Sequence, residues 1–174
     1  MNPTKIGIPM GLAAPSLSSA SVSYTANQVR AILFEVSGFS VTINQVLWNL
    51  TVGVAGGHVG FGIYAVTTGS TTRGLRLADT GPISATVADQ GLKATAFITP
   101  VTLPPGQYCL AFTADNASIT CLTVNAAAWL PFNATPEIHF GTSATASVAG
   151  QLPALLGAIT AAANGPFPTC MLSN

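Results

Sequence analysis

Apolar residues alternate with polar or small residues in successive segments of this chain, and this period of two constrains the fold more than any other feature. In RAILFEV (30–36), Ile32, Phe34 and Val36 fall on one side of an extended backbone. Gly, Pro, Asp and Asn separate such segments at the spacing typical of antiparallel sheets. No long amphipathic helix is indicated before residue 150. The sequence therefore predicts an all-β fold, an antiparallel jelly-roll-like β-sandwich of about eight strands.

Two of the candidate strands are irregular. The segment 41–52 has its apolar residues at odd positions first and at even positions later, which predicts a bulge near Asn44 and Gln45. In the next candidate strand, Gly60 and Gly62 alternate with apolar residues, which indicates that another part of the chain approaches closely. The further candidate strands lie at 75–84, 92–99, 106–114 and 118–124.

Two adjacent prolines precede the candidate strand at 106–114. Pro104 and Pro105 have no N–H to donate to a sheet, so they are expected to lie outside the strand. Gly106 then supplies a permissive backbone conformation for the turn. Alternate residues from Tyr108 onward should enter the core. The motif predicts a rigid entry to a central strand and indicates no chemistry.

The chain of 174 residues is long enough for one domain with a tail. Residues 1–26 are rich in Pro, Gly, Ser and Ala and lack a sustained period, so we interpret them as an extended N-terminal anchoring arm. Residues 27–174 form the predicted sandwich. The apolar stretch 152–163 is about half as long as a bilayer requires, so no membrane span is expected. Because the arm lacks the apolar core of a signal peptide, we expect synthesis in the cytoplasm.

Charge is almost absent from the sequence. The chain has five Lys and Arg and five Asp and Glu, with a formal net charge of zero. Nucleic-acid binding needs clustered basic residues and these are scattered, so nucleic acid is excluded as a partner. A surface with so little charge also does little to oppose association. We therefore expect a homo-oligomer, or a surface covered by partners.

The three cysteines indicate neither a complete disulfide framework nor a metal site. Their number is odd, and none has the spacing of metal ligands. We interpret Cys109, Cys121 and Cys170 as small buried apolar residues. Cys109 and Cys121 fall on what is predicted to be a hairpin, so a bridge between them is geometrically possible, although the lack of a signal peptide argues against it. No cofactor or metal is expected.

Few groups in the sequence could carry catalysis. Glu137 and His139 are two residues apart and share one side of a strand, so the carboxylate could orient the imidazole. No Ser, Cys or second carboxylate stands at a recognisable motif spacing from them. His58, in a glycine-rich loop, is interpreted as a polar turn residue. We therefore predict a protein that is not an enzyme and has no catalytic residues.

A long connection carries the most prominent aromatic residues. Within 125–140, Trp129 and Phe132 lie beside Asn133, and His139 follows near the end of the segment. Long loops on rigid sheets often bind ligands, and an exposed Trp beside amide side chains suits stacking on a sugar. The alternative is that these aromatic residues are covered by the core or by a subunit interface. Trp129, Phe132, Asn133 and His139 are thus candidate ligand or interface contacts.

Several stretches resemble a family of small modules found in virion proteins of tailed bacteriophages, in tail-fibre-like and head-surface positions. They are ILFEVSGFSVTINQVLWNLTV, GHVGFGIYAV, LRLADTGPIS, LKATAFITPVTLPPGQYCLAF and LPALLGAITAAANGPFPTCML. Together they span about residues 28–172. The resemblance implies a jelly-roll sandwich that assembles as a trimer, and it supplies no catalytic residue.

The resemblance and the low charge lead to one expectation and one alternative. We expect a non-enzymatic structural protein of a phage virion surface, made in the host cytoplasm and tied to other virion proteins by residues 1–26. Tail fibres have long shafts, whereas this chain is one module with a short arm, which favours a capsid decoration or a tail-associated accessory. The alternative is a receptor- or carbohydrate-binding module that contacts a host-surface glycan.

Overall fold

The computed structural model of the chain describes residues 5–7, 24–66, 72–125, 140–161 and 166–174. These residues form fourteen β-strands and one short 3₁₀ turn, Val87–Asp89. The strands are β1 (Lys5–Gly7), β2 (Arg30–Val36), β3 (Val41–Val52), β4 (His58–Val66), β5 (Thr72–Asp79), β6 (Ile83–Ser84), β7 (Gly91–Leu103), β8 (Gly106–Ala114), β9 (Thr120–Cys121), β10 (Thr123–Asn125), β11 (Phe140–Ser143), β12 (Leu155–Ala161), β13 (Pro166–Pro168) and β14 (Cys170–Ser173). The predicted all-β fold is confirmed.

Two antiparallel sheets make up most of the sandwich. The first, here named the cover sheet, has the strand order β1-β14-β3-β7, with β9 also paired to β3. The second has the order β5-β12-β11-β2-β8-β4-β6, and β5 is additionally paired with β4. Because β5 bonds to β12 on one edge and to β4 on the other, six strands of the second sheet close into a ring. A small third sheet pairs β10 with β13.

The main core lies between the cover sheet and the outside of ring strands β2, β4 and β8. The tilted rings of Trp48 in the cover sheet and Phe61 in the ring pack together with their centroids 5.4 Å apart. The centroids of Phe61 and Phe112 are 5.1 Å apart. The indole N–H of Trp48 donates to the hydroxyl of Thr95 at 2.9 Å, so its one polar group is satisfied. Large aromatic rings therefore fill the gap between the two sheets.

A second and smaller core fills the inside of the ring. Its buried residues are Val29, Ala31, Tyr64, Cys109, Ala111, Leu152, Leu156 and Ile159. Alternate residues of β8 point into this core and into the main core, so that every residue from Tyr108 to Ala114 is buried. The strands β2, β4 and β8 are thus covered on both faces, which is why their sequences are more continuously apolar than the cover strands.

The chain between β11 and β12 enters the ring and fills it. We name residues 147–153 the plug. A methyl group on Gly60 would overlap the carbonyl oxygen of Gly150, and one on Gly62 would lie 2.8 Å from a methyl carbon of Leu152. The predicted close approach at the alternating glycines is confirmed, and the plug is what approaches.

The predictions of a bulge in β3 and of two prolines outside the strands are also confirmed. The register of β3 against β7 shifts between Ile43 and Gln45, which is the predicted bulge. Pro104 and Pro105 lie between β7 and β8, where the chain crosses from the cover sheet to the ring. The hydroxyl of Tyr108 donates to the carbonyl oxygen of Pro104 at 2.8 Å and fixes this corner.

The predicted hairpin that would join Cys109 to Cys121 is wrong. Cys109 lies in β8 and points into the ring, whereas Cys121 lies in β9 of the cover sheet and belongs to the main core. The turn after β8 carries the chain from one sheet to the other, so the two strands do not pair. None of the three cysteines forms a disulfide, and Cys109 and Cys121 are buried as expected. The prediction that Cys170 is also buried is wrong, because this residue is only half-buried.

Part of the predicted arm touches the sandwich. Residues 5–7 pair with β14 at the edge of the cover sheet. Tyr24 is buried in the main core, with its ring 4.9 Å from that of Phe112 and the guanidinium of Arg30 over its face. Residues 1–4 and 8–23 lie outside the described residues, so the division of the chain at residue 26 stays a prediction.

Candidate functional site

Each of the three aspartates is paired with a basic side chain. The pairs are Asp79 with Arg76 at 2.6 Å, Asp89 with Lys93 at 3.4 Å and Asp115 with His58 at 3.0 Å. These contacts are internal to the chain. Since so few charged residues exist, the described surface offers little free charge to a charged ligand.

His58 and Asp115 join the start of β4 to the end of β8. One carboxylate oxygen of Asp115 accepts the backbone N–H of His58 at 2.8 Å, and the other lies 3.0 Å from Nδ1 of the ring. Ser84 is directly opposite His58 across β4 and β6, but its hydroxyl donates to Asp89 at 2.7 Å. The contacts of His58 with Asp115, which we name the clasp, therefore link two strands. The prediction that His58 is a turn residue is wrong, because His58 is the first residue of β4.

Asp89 organises the 3₁₀ turn before β7. Its carboxylate accepts the hydroxyl of Ser84, the hydroxyl of Thr86 at 2.7 Å and the backbone N–H of Thr86 at 3.0 Å, and Lys93 lies beside it. The hydroxyl of Ser84 contributes most to holding the pKa of this carboxylate well below its ordinary value. The turn links the second sheet to the cover sheet.

Arg76 and Asp79 of β5 contact the plug. The guanidinium of Arg76 donates to the carbonyl oxygen of Leu152 at 2.5 Å, and the side-chain amide of Gln151 donates to Asp79 at 2.9 Å. These bonds hold the plug in the ring. Because successive side chains of a strand point to opposite faces, the inward position of Arg76 places its neighbour Leu75 on the outer side of β5.

The outer side of β5 and β12 carries an exposed apolar surface, which we name the leucine patch. It consists of Leu75, Leu77 and Leu155, which are 67%, 40% and 52% exposed. Leu75 and Leu155 are directly opposite each other across the two strands. Exposed apolar side chains grouped on a rigid sheet are typical of a protein contact surface.

The leucine patch was not among the features predicted from the sequence. Its signal was present in LRL, where Leu75 and Leu77 flank Arg76. Alternation shows that these two leucines share a face. It does not show that β5 closes a ring, nor that Leu75 and Leu155 lie exposed on its outer side within the described part of the chain.

The candidate contacts of the long connection lie outside the described residues. This applies to Trp129, Phe132, Asn133 and His139, and also to Glu137. Their connection leaves β10, in the small third sheet, and returns at β11, in the ring. Their role as ligand or interface contacts stays a prediction.

Two absences within the described residues concern metal binding and membrane crossing. Within those residues, no group of three or more His, Cys, Asp or Glu side chains could hold a metal ion. Over the same part of the chain, no helix is long and apolar enough to cross a bilayer.

Comparison with known proteins gave no relative. No family model, no curated protein and no solved structure matches this chain.

Proposed function

We propose that the protein is a non-enzymatic structural protein of a phage virion surface, a capsid decoration or tail-associated module, whose sandwich assembles with copies of itself. The leucine patch is the observation that carries the self-assembly. The resemblance of the sequence to jelly-roll modules of tailed-phage virions supports the location and favours a trimer.

The energetics of the patch are consistent with this role. Covering part-exposed leucines contributes about 1 kcal/mol for each side chain, and every copy in a closed assembly adds its own patch. The aspartates are already paired within the chain, so steering by charge contributes little. Assembly is therefore expected to depend on apolar contact and to change little with salt.

The solution mass of the purified full chain tests the assembly. We expect about three times the 17.6 kDa of one chain. Replacing Leu75 and Leu155 together by Thr, which preserves strand propensity, should give monomers. The matched control is Val87→Thr, because Val87 is 64% exposed but lies on the 3₁₀ turn and belongs to neither β5 nor β12. A monomeric wild-type chain, or a double variant with unchanged mass, would contradict the assembly.

The arm, residues 1–26, is proposed to tie the sandwich to other virion proteins. Antibodies against the folded domain should label intact particles from a host that encodes the chain. A chain lacking residues 1–23 loses only the three-residue edge strand β1 from the described sandwich and keeps Tyr24 in the core, so it should fold but fail to join particles. Labelling of cell debris alone, or normal incorporation of the shortened chain, would count against this role.

The alternative is a receptor- or carbohydrate-binding module, which the long connection with Trp129 favours. Stacking of an aromatic ring on a sugar face would carry the binding. A glycan array probed with the full chain distinguishes the two functions. Binding that Trp129→Ala abolishes while the solution mass stays the same would favour the alternative, and an array without signal would favour the structural role.

A further inference from the structure

Two of the three cysteines follow one another along a single edge of β3. Cys121 of β9 is opposite Leu50, and Cys170 of β14 is opposite Trp48. Leu50 and Trp48 are both paired with β7 on their other edge. Since a strand has only two edges, β9 and β14 must lie end to end along the remaining one.

This placement brings the two thiols within reach of each other. Positions two residues apart on a strand are separated by about 6.6 Å, which is near the upper end of the about 4.4–6.8 Å that disulfides span between Cα atoms. Forming the bond therefore requires the facing ends of β9 and β14 to move closer together. Cys121 and Cys170 also share a face, because Trp48 and Leu50 both point into the main core. The backbone N–H of Thr169 donates to the carbonyl oxygen of Leu122 at 2.7 Å, which keeps the two chain segments adjacent.

Cys121 is buried and Cys170 is half-buried, and the hydroxyl of Tyr24 lies beside the thiol of Cys121. Burial raises the pKa of Cys121 to about 12, and burial together with the neighbouring Cys121 raises the pKa of Cys170 to about 12. The thiolate is the reactive form of cysteine. Both groups are thus protonated at neutral pH, and the folded pair should react with oxidants only when this edge of the sheet opens.

We propose that Cys121 and Cys170 form a disulfide when the protein meets a low-molecular-weight disulfide such as oxidised glutathione, while Cys109 remains a thiol. The thiolate of one cysteine attacks the small disulfide and releases one small thiol. The thiolate of the other then attacks the mixed disulfide and releases the second small thiol. Two protein thiols are oxidised and one small disulfide is reduced to two thiols, so electrons and protons balance.

The bond would fasten β9 to β14 along the edge of β3. It would close a loop of about 50 residues that includes the connection with Trp129, and a loop of this length gains substantial stabilisation from closure. Surfaces of particles outside the cell are oxidising, whereas the cytoplasm is reducing. The proposal needs only the register of the strands and does not depend on the proposed function.

The test is oxidative refolding followed by peptide mapping. The full chain is unfolded in denaturant with a reductant and refolded with reduced and oxidised glutathione. Free thiols are then alkylated under denaturing conditions. We expect a peptide that links Cys121 to Cys170, an alkylated Cys109, and a midpoint of thermal unfolding higher by on the order of 5–10 °C than in the reduced protein.

Three variants make the result specific. Cys121→Ala and Cys170→Ala should each abolish the linked peptide and the rise in midpoint, whereas Cys109→Ala should keep both. Circular dichroism of each reduced variant confirms that it has folded. A linked peptide that contains Cys109, or alkylation of all three thiols in refolded wild type, would overturn the proposal.

Discussion

The two halves of the six-stranded ring differ in what covers their outer surface. Strands β2, β4 and β8 carry apolar residues outward, and the cover sheet buries them, with Phe61 and Phe112 at the centre. Strands β5 and β12 also carry apolar residues outward, but Leu75 and Leu155 remain in solvent. Among the residues that the structure describes, none covers Leu75 and Leu155 as the cover sheet covers β2, β4 and β8.

Outward-facing apolar residues therefore serve two different purposes in the two halves of the ring. On the covered half, outward apolar residues stabilise the fold of one chain. On the half with the leucine patch they contribute little to one chain, and a second copy would gain from covering them. The inside of the ring does not differ between the two halves in this respect, because Leu152 of the plug and buried side chains of the ring strands fill it. Substitutions on the two halves should therefore have different consequences.

The largest expected effect comes from truncating the covered half. Phe112→Ala should lower the free energy of unfolding by about 3–5 kcal/mol, because it leaves a cavity between rings that touch on several sides. Leu75→Ala should change the free energy of unfolding of the monomer by about 0.5 kcal/mol or less, as a surface substitution does. Denaturant unfolding of both variants measures the contrast, and equal losses would remove the distinction between the halves.

A smaller but still large effect is expected inside the ring. Gly60→Ala should lower the free energy of unfolding by about 3 kcal/mol, because its methyl group meets a backbone carbonyl of the plug that cannot rotate away. The matched control is Gly74→Ala, where the nearest atoms lie at an ordinary contact distance of 3.4 Å. Thermal unfolding compares the two variants. Similar midpoints would mean that the plug does not fill the ring.

The smallest expected effect concerns the turn that links the second sheet to the cover sheet. The pKa of Asp89 is lowered in the folded protein, chiefly by the hydroxyl of Ser84. Its contribution to stability is therefore complete above the ordinary carboxyl pKa of about 4 and is lost as the pH falls below that value. Stability of the wild type should drop more steeply below pH 4 than that of Asp89→Asn. Parallel curves of stability against pH for the two proteins would contradict this role.

Sequence patterns predicted the features that depend on neighbouring residues. The period of two gave the strands, the change of phase gave the bulge at Ile43 and Gln45, and the absence of an N–H in Pro104 and Pro105 placed them between strands. Each of these follows from the chemistry of one short segment.

Features that depend on distant pairing were not predictable in this way. The clasp of His58 with Asp115 joins residues 57 positions apart, and no spacing rule connects them. The ring closes because β5 pairs with both β4 and β12. The exposure of Leu75 follows only from that closure. Sequence spacing likewise suggested the wrong partner for Cys121, because the chain changes sheets after β8.

The most direct test of the account is hydroxyl-radical footprinting of the full chain in solution. Val87, at 64% exposure, is the internal reference for Leu75 at 67% and Leu155 at 52%. If copies cover the leucine patch, both leucines should be oxidised much less than Val87 at high protein concentration and should approach their intrinsic reactivity on dilution. Oxidation of the two leucines in proportion to their exposure at every concentration would contradict the account.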